Sequence, residues 1–213
     1  MTILALEFSS SQRSVAVAHG ASISEVIETG IGKMDVFGMI EQALRATGVE
    51  REQIETIAVG LGPGSYTGIR TAIAMAEGWN LGRHVQLKGV GSAEAIAWQA
   101  RVENVLGTVG VVVDAQRGEI YLGRYHISAT ELKEAAPLTI LPPGEVEPQS
   151  VGQFVGPESP RWFPSGKVTF PRAAGVARLA AEGRCVGTKD ARLEPIYLRE
   201  PVFVKAPSVR RIV

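Results

Sequence analysis

The sequence predicts an α/β protein built from two related lobes, and three observations support this prediction. Short apolar or β-branched runs alternate with helical patterns along the 213-residue chain. A polar break at 101–104 separates two halves. Each half opens with an apolar strand, a terminal carboxylate, a polar turn and a second strand, which we interpret as an internal duplication. We therefore expect an N-terminal lobe at 1–103 and a C-terminal lobe at 104–213, whose tail is a candidate to pack back on the first lobe.

The first lobe is predicted to open with an antiparallel meander of three short strands joined by tight turns. These strands are expected at 3–6, 14–18 and 23–27. A helix is predicted over 35–47, with Gly48 as its C-cap. Its apolar residues form two neighbouring stripes, so the helix presents an unusually wide apolar face. Such a face fits either a helix deep in its own core or a helix that also meets a partner chain.

A second helix is predicted over 66–81, between strands at 54–59 and 86–90. It is rich in small residues, which allow another helix to approach closely and lower the intrinsic stability of the helix itself. These residues are Gly68, Ala72, Ala74, Ala76 and Gly78. We therefore expect this helix to need tight packing. Ser92 is predicted to cap a third helix that extends to about Ala100.

A glycine-rich corner joins the strand at 54–59 to the second helix. We assign a structural loop to Gly62, Pro63, Gly64 and Ser65, because glycines let the backbone pass where a side chain would not fit. Ser65 or Thr67 is expected to cap the helix that follows. Such corners often bind phosphate through unpaired helical N–H groups. This corner lacks a Walker lysine and the Gly-x-Gly-x-x-Gly spacing, so it predicts a special backbone shape more than a phosphate site.

The second lobe is predicted to open with a strand over 108–113 that ends at Asp114, then a turn and a strand over 119–126. Arg117 and Glu119 are placed to pair across that turn. Residues 137–168 contain seven of the twelve prolines, so we expect a loop-rich region with short strands. A last helix is predicted over 172–182, before an irregular tail.

Composition and charge exclude several classes of function. The 22 basic and 22 acidic residues balance, which argues against strong nucleic-acid binding by this chain alone. A single cysteine excludes an internal disulfide and a cysteine metal cluster, and it fits a cytoplasmic setting. The histidines are isolated from one another, so we predict no metal site. We see no signal peptide and no apolar run long enough to cross a membrane.

Two carboxylates at strand ends are weak candidates for cofactor binding. Glu7 and Asp114 each end an apolar strand before a polar turn, where a carboxylate can hold a magnesium ion that bridges nucleotide phosphates. Ser9, in the first turn, is a weak candidate of the same kind. The alternative, which we favour for both carboxylates, is that each accepts hydrogen bonds from the backbone of its own turn.

Four segments, in order along the chain, resemble the TsaB (YeaZ) family. Residues 3–10 resemble its N-terminal "ILAIDTS" strand and turn, and residues 60–70 resemble its "GPGSFTGLR" signature. Residues 113–121 are similar to its "DARRGEVY" segment, and 195–199 match its "PxYLR" motif. The resemblance implies a two-lobed fold of the actin, sugar-kinase and heat-shock-protein (ASKHA) superfamily with duplicated ribonuclease H-like lobes.

The resemblance also implies a function without chemistry of its own. In this family's system the paralogue TsaD transfers a threonylcarbamoyl group to adenosine 37 of tRNA, and TsaB is its non-catalytic partner. The ATPase TsaE binds the pair, and TsaB contacts tRNA only as part of this complex. We expect the chain to form a homodimer when it is alone, and we expect no cofactor. Whether a nucleotide binds at the subunit interface is an open question at this point. The alternative is a small ATP-dependent phosphotransferase of the same superfamily, and peptidase activity is a third, less favoured hypothesis.

The family pairs with TsaD through helices of the N-terminal lobe, so we place the partner interface on the helices at 35–47 and 66–81. The expected interface residues are Phe37, Ile40, Leu44, Arg70, Ala74 and Met75. The chain also departs from the family pattern. Glu7 and Phe8 replace Asp and Thr, the "HSE" segment before the first long helix is absent, and the second glycine motif is reduced to 155–158. These departures weaken a phosphate-binding role and leave open whether the partner surface is specialised.

Overall fold

The computed structural model describes residues 1–30, 35–147, 149, 151–186, 188–189 and 192–199. The first lobe holds a five-stranded sheet in the order β3-β2-β1-β4-β5. Its strands are β1 (Thr2–Glu7), β2 (Gln12–His19), β3 (Ser22–Thr29), β4 (Thr56–Gly60) and β5 (Gln86–Val90). The first three strands pair antiparallel, and β4 and β5 add to β1 in parallel. The predicted antiparallel meander is confirmed.

Two helices, α1 (Val36–Thr47) and α2 (Tyr66–Arg83), cover one face of this first sheet. The α1 helix begins at Asp35, whose carboxylate accepts a hydrogen bond from the Gly38 N–H at 3.0 Å. It ends at Gly48, which adopts the left-handed conformation with φ of 65° and so suits a residue without a side chain. The predicted cap is confirmed. A short 3₁₀ turn, Arg51–Gln53, leads from α1 toward β4.

The second lobe repeats the first sheet. Its strands are β6 (Gly107–Gln116), β7 (Glu119–Ile127), β8 (Leu132–Leu141), β9 (Gln153–Gly156) and β10 (Lys167–Val168). Their order, β10-β9-β6-β7-β8, is that of the first sheet, again with three antiparallel strands followed by two parallel ones. This confirms the predicted α/β class with duplicated ribonuclease H-like lobes, the ASKHA arrangement.

The helices of the second lobe are shorter than those of the first. A 3₁₀ turn, Pro143–Glu145, stands where the first lobe has α1, and the four-residue α4 (Ser159–Trp162) stands where it has α2. The outer face of the second sheet is covered instead by a small apolar cluster in which Phe154 and Phe163 stack at 3.9 Å between ring centroids. Among the described residues, long outer helices therefore cover the first sheet only.

Two details of local structure differ from the prediction. β8, a ten-residue strand that was not predicted, extends through Pro137 into the proline-rich region, whose remaining described residues are loops and short elements as expected. This strand lies at the edge of its sheet, where a residue without an N–H group is tolerated. Ser92 is not the cap of α3 (Ser92–Val102) but its first residue, and Gly91 takes the cap position.

The core lies between the two sheets, where α3 and α5 (Ala173–Ala181) pack against each other. Each of these helices packs mainly on the sheet of the other lobe: α5 lies on β1 and β2, whereas α3 lies on β6 and β7. Hydrogen bonds also join the lobes here, because the Ala173 N–H donates to Ser14 Oγ at 2.8 Å and Arg172 forms an ion pair with Glu25. The two lobes share one continuous apolar core.

The described part of the tail packs against the first lobe through two backbone hydrogen bonds. The Val186 N–H donates to the Gly89 carbonyl at 2.8 Å, at the free edge of β5, and the Ile196 N–H donates to the Leu61 carbonyl at 2.9 Å. Between them, β11 (Thr188–Lys189) and β12 (Arg192–Leu193) form a small antiparallel pair. Within the described residues, every helix is too short or too polar to cross a membrane.

Candidate functional site

The glycine corner that follows β4 is shaped by close packing against the turn between β1 and β2. A Cβ atom on Gly64 would lie 2.1 Å from the Ser9 carbonyl oxygen, and one on Gly68 would lie 1.9 Å from the Phe8 carbonyl oxygen. The Ser65 N–H donates to the Ser9 carbonyl at 2.6 Å, and Ser65 Oγ accepts from the Gly68 N–H at 3.2 Å. Ser65 is therefore the helix cap, as predicted. The N–H groups of Ser65 and Gly68, at the start of α2, are thus used within the chain.

Glu7 is completely buried at the end of β1 and points away from solvent. Its Oε1 accepts a hydrogen bond from the Ser9 N–H at 2.7 Å, and its Oε2 accepts one from Ser92 Oγ at 2.8 Å. Ser92 Oγ in turn accepts from the Gly62 N–H at 3.0 Å. Burial raises the pKa of the Glu7 carboxyl above its usual value, although these hydrogen bonds oppose the shift. The side chain ties β1, the glycine corner and α3 together and does not face the cleft.

Asp114, two residues before the end of β6, makes the same kind of contact with the backbone that follows it. Its Oδ1 accepts from the Gln116 N–H at 2.7 Å, and its Oδ2 pairs with Arg161 at 3.0 Å. The structure thus places Asp114 as a turn cap that is paired with an arginine. The expected pairing of Arg117 with Glu119 is wrong, because Glu119 pairs with Arg199 of the tail.

A cleft of about 480 Å³ lies between the lobes and is bordered by both turns and both corners. Its lining includes Ser9, Ser10, Arg13, Gly64, Asp114 and Glu158. Glu158 stands in the segment Gly156-Pro157-Glu158-Ser159, which repeats the first corner with a carboxylate in place of Gly64. Burial raises the pKa of Glu158, and its Oε2 has no hydrogen-bond partner among the described residues.

These residues do not fit the phosphates and magnesium of a nucleotide. A carboxylate at position 158 repels an anion, and Asp114 already has an arginine partner. Glu7 is occupied inside the protein. Within the described ranges, no group of three or more histidine, cysteine, aspartate or glutamate residues is arranged to hold a metal ion.

The outer surface of α1 and α2 carries exposed apolar side chains. Phe37 is 67% exposed on α1, while Tyr66 and Leu81 are 58% and 85% exposed on α2. Gly78 and Gly82 have open space where a side chain would stand. We call this surface, defined by these five residues with Arg70 and Ala74, the outer helical face.

The six predicted interface residues divide between this face and the core. Phe37, Arg70 and Ala74 are exposed on the outer helical face, and Met75 is partly buried. Ile40 and Leu44 lie on the inner side of α1 and are buried in the core of the first lobe. The wide apolar face of α1 is thus explained by its own core, with Phe37 as the exposed exception.

Sequence reasoning missed Tyr66 and Tyr197, which lie beside Arg70 at the start of α2. The two tyrosine rings stack with centroids 5.9 Å apart, and the Arg70 guanidinium lies 4.4 Å from the Tyr66 ring centre. Both tyrosines lie in segments that the sequence analysis had singled out: Tyr66 directly follows the glycine corner, and Tyr197 is part of the "PxYLR" segment. Neither segment indicated that the two side chains are in contact.

Comparison with known proteins agrees with this architecture. A family model described as "TsaD: tRNA N6-adenosine threonylcarbamoyltransferase" matches residues 35–196, well over half of the chain. The chain is 28% identical to the tRNA threonylcarbamoyladenosine biosynthesis protein TsaB of Escherichia coli K12, over 96% of this chain and 97% of that protein. The chain belongs to the TsaB (YeaZ) family. The TsaB of Bacillus subtilis is 27% identical over 64% of this chain and 60% of its own length.

A solved structure of the TsaB family agrees in fold as well. The chain superposes on YeaZ from Pseudomonas aeruginosa with a TM-score of 0.79 and 25% identity, covering 92% of this chain and 99% of that one. The superposition thus extends over both lobes. The four segments that resembled the TsaB family in the sequence surround the cleft and the start of α2, so the family motifs cluster in space.

Proposed function

We propose that this chain is the non-catalytic partner of a TsaD-type transferase in the formation of N6-threonylcarbamoyladenosine at position 37 of tRNA. Its membership of the TsaB family and the names of its relatives support this role. The observation that carries the proposal is the contrast between two surfaces. The cleft, where a nucleotide-using relative would do chemistry, has the carboxylates of Asp114 and Glu158 in its lining, whereas the outer helical face is apolar and exposed.

The outer helical face is suited to packing against helices of a second chain. Ala74, Gly78 and Gly82 follow one another at intervals of four residues, so they share one side of α2. Their small side chains let the backbone of another helix approach closely, and Leu81 on the same helix and Phe37 on α1 add exposed apolar surface. An exposed apolar patch of this kind usually marks an interaction site.

The proposed partners follow from the same surface. A TsaD-type chain would pack on the outer helical face, and a TsaE-type ATPase would join the pair. In the absence of TsaD, a second copy of this chain would cover the same face as a homodimer. The balanced charge of the chain supports the view that tRNA is bound only through the complex. We place the function in the cytoplasm on the basis of this tRNA role.

The alternative of an ATP-dependent phosphotransferase is less well supported. It requires Glu7 and Asp114 to hold a magnesium ion, but Glu7 is buried and both carboxylates accept hydrogen bonds from their own turns. Equilibrium binding of ATP–magnesium separates the two proposals. Micromolar affinity that is lost in Glu7→Ala would favour the enzyme, provided that the variant keeps the wild-type circular dichroism spectrum.

The proposed function is tested by reconstituting tRNA modification from purified components. The assay contains the cognate TsaD-type and TsaE-type proteins, threonylcarbamoyl-adenylate and unmodified tRNA, with or without this chain. We expect modification to require the chain and to fall at least tenfold with Ala74→Arg, because a long cation on the outer helical face blocks helix packing. Ala129→Arg, at an exposed alanine in the turn between β7 and β8, is the matched control and should retain activity. Full modification without the chain would refute the proposal.

A further inference from the structure

The last described residues of the tail connect the two lobes across the start of α2. The Ile196 N–H donates to the Leu61 carbonyl in the first lobe. Three residues later, the Arg199 guanidinium donates to the Ala115 carbonyl at 3.1 Å and pairs with Glu119 in the second lobe. Tyr197 lies between these two anchors, so the position of its ring is fixed from both sides.

Tyr197 holds the side chain of Arg70 on the outer helical face. The Arg70 Nε–H donates to the Tyr197 hydroxyl oxygen at 3.3 Å, and the guanidinium lies over the Tyr66 ring. Tyr197 also stacks on Tyr66, with an angle of 26° between the ring planes, and its ring centre lies 6.0 Å from the guanidinium. An exposed arginine normally samples many rotamers, and ordering it on binding costs free energy. In this chain, the contacts with Tyr66 and Tyr197 already order the Arg70 side chain before a partner binds.

We propose that Tyr197 is a positioning residue that presents the Arg70 guanidinium to the partner chain. The inference rests on the proposed function and adds a residue outside the two helices to the docking surface. The hydrogen bond to Tyr197 uses Nε, and among the described residues the two terminal nitrogens of Arg70 make no hydrogen bond within the chain. Because Arg70 is exposed, these nitrogens are accessible as a planar fork that suits carboxylate or carbonyl oxygens of the partner. The partner segment that meets the start of α2 is therefore expected to offer such acceptors.

A double-mutant cycle tests whether Tyr197 acts through Arg70. The affinity of the cognate TsaD-type chain is measured by calorimetry for the wild type, Arg70→Ala, Tyr197→Ala and the double variant. We expect losses of about tenfold for Arg70→Ala and about fivefold for Tyr197→Ala, because removing an anchor costs more than loosening it. The double variant should bind no more weakly than Arg70→Ala, since Tyr197 has nothing to position once the guanidinium is gone. Tyr197→Trp, which keeps a stacking ring with a polar edge, should recover part of the loss.

Two controls keep the outcome specific. Leu198→Ala alters a neighbouring side chain that is 43% exposed and should bind as the wild type does. Thermal unfolding of every variant verifies that the chain is folded at the temperature of the titration. Additive losses in the cycle, or unchanged affinity of Tyr197→Ala when Arg70→Ala is weakened, would overturn the inference and leave the proposed function intact. If neither Arg70→Ala nor Ala74→Arg weakens pairing, the proposed docking face itself fails.

Discussion

Replacing Gly60 by alanine tests the buried position of Glu7 most directly. A Cβ atom on Gly60 would lie 1.9 Å from Glu7 Oε2 and 2.6 Å from Cδ, so the carboxyl group would have to move by more than 1 Å to reach ordinary contact distance. Such a movement breaks the hydrogen bonds from Ser9 and Ser92 in a site that water does not reach. Each of these bonds contributes roughly 1.5–3 kcal/mol when the acceptor is charged. We expect Gly60→Ala to lower the free energy of unfolding by about 4 kcal/mol.

This loss is measured by urea unfolding followed by circular dichroism, and it corresponds to a fall in Tm of about 10 °C for a chain of this length. Gly144→Ala is the matched control, because that glycine is exposed and has open space around its Cα atom. It should change the free energy of unfolding by less than about 0.5 kcal/mol. A Gly60→Ala variant within about 1 kcal/mol of the wild type would refute the close contact between Glu7 and β4.

Three further predictions concern the helical face, the tail and pH. Gly78→Leu should raise the free energy of unfolding of the monomer by about 0.5 kcal/mol through helix propensity, yet weaken pairing at least tenfold, as measured by urea unfolding and calorimetry. Arg199→Ala should cost less than about 1 kcal/mol, since its ion pair is partly exposed, but should speed hydrogen exchange at the Ile196 amide. Because burial raises the folded-state pKa of Glu7 above 4.5, stability should fall as pH rises from 4.5 through that pKa; Glu7→Gln should flatten this slope in urea titrations. Equal pH dependence of stability in the wild type and in Glu7→Gln would contradict the raised pKa of Glu7.

Much of the fold was predictable because its elements carry their own patterns. The strands from β1 to β7 are short apolar or β-branched runs bounded by turn residues, and α1 has both caps in its sequence. Strand β8 was missed because it contains Pro137 and runs into a proline-rich region, whereas an edge strand needs N–H groups on one side only. The repeated strand order of the two sheets follows from the duplication, which the matching strand-carboxylate-turn segments indicated.

The candidate site was less predictable, since its contacts join residues that are distant in sequence. Glu7 accepts one hydrogen bond from its own turn and another from Ser92, 85 residues away, so the burial of the carboxylate could not be predicted from the turn alone. The Arg70–Tyr197 contact spans 127 residues. Ile40 and Leu44 lie on the same helix as Phe37, and only the position of the sheet beneath α1 distinguishes the buried pair from the exposed ring.

The exchange of α3 and α5 between the lobes has a consequence for synthesis on the ribosome. When the first hundred residues emerge, their sheet lacks the helix that will cover its inner face, because α5 is encoded some seventy residues later. The nascent half therefore exposes apolar strand surface until translation nears its end, which is the kind of surface that chaperones bind. Because α3 in turn packs on the second sheet, each lobe lacks part of its core until the helix from the other lobe is in place.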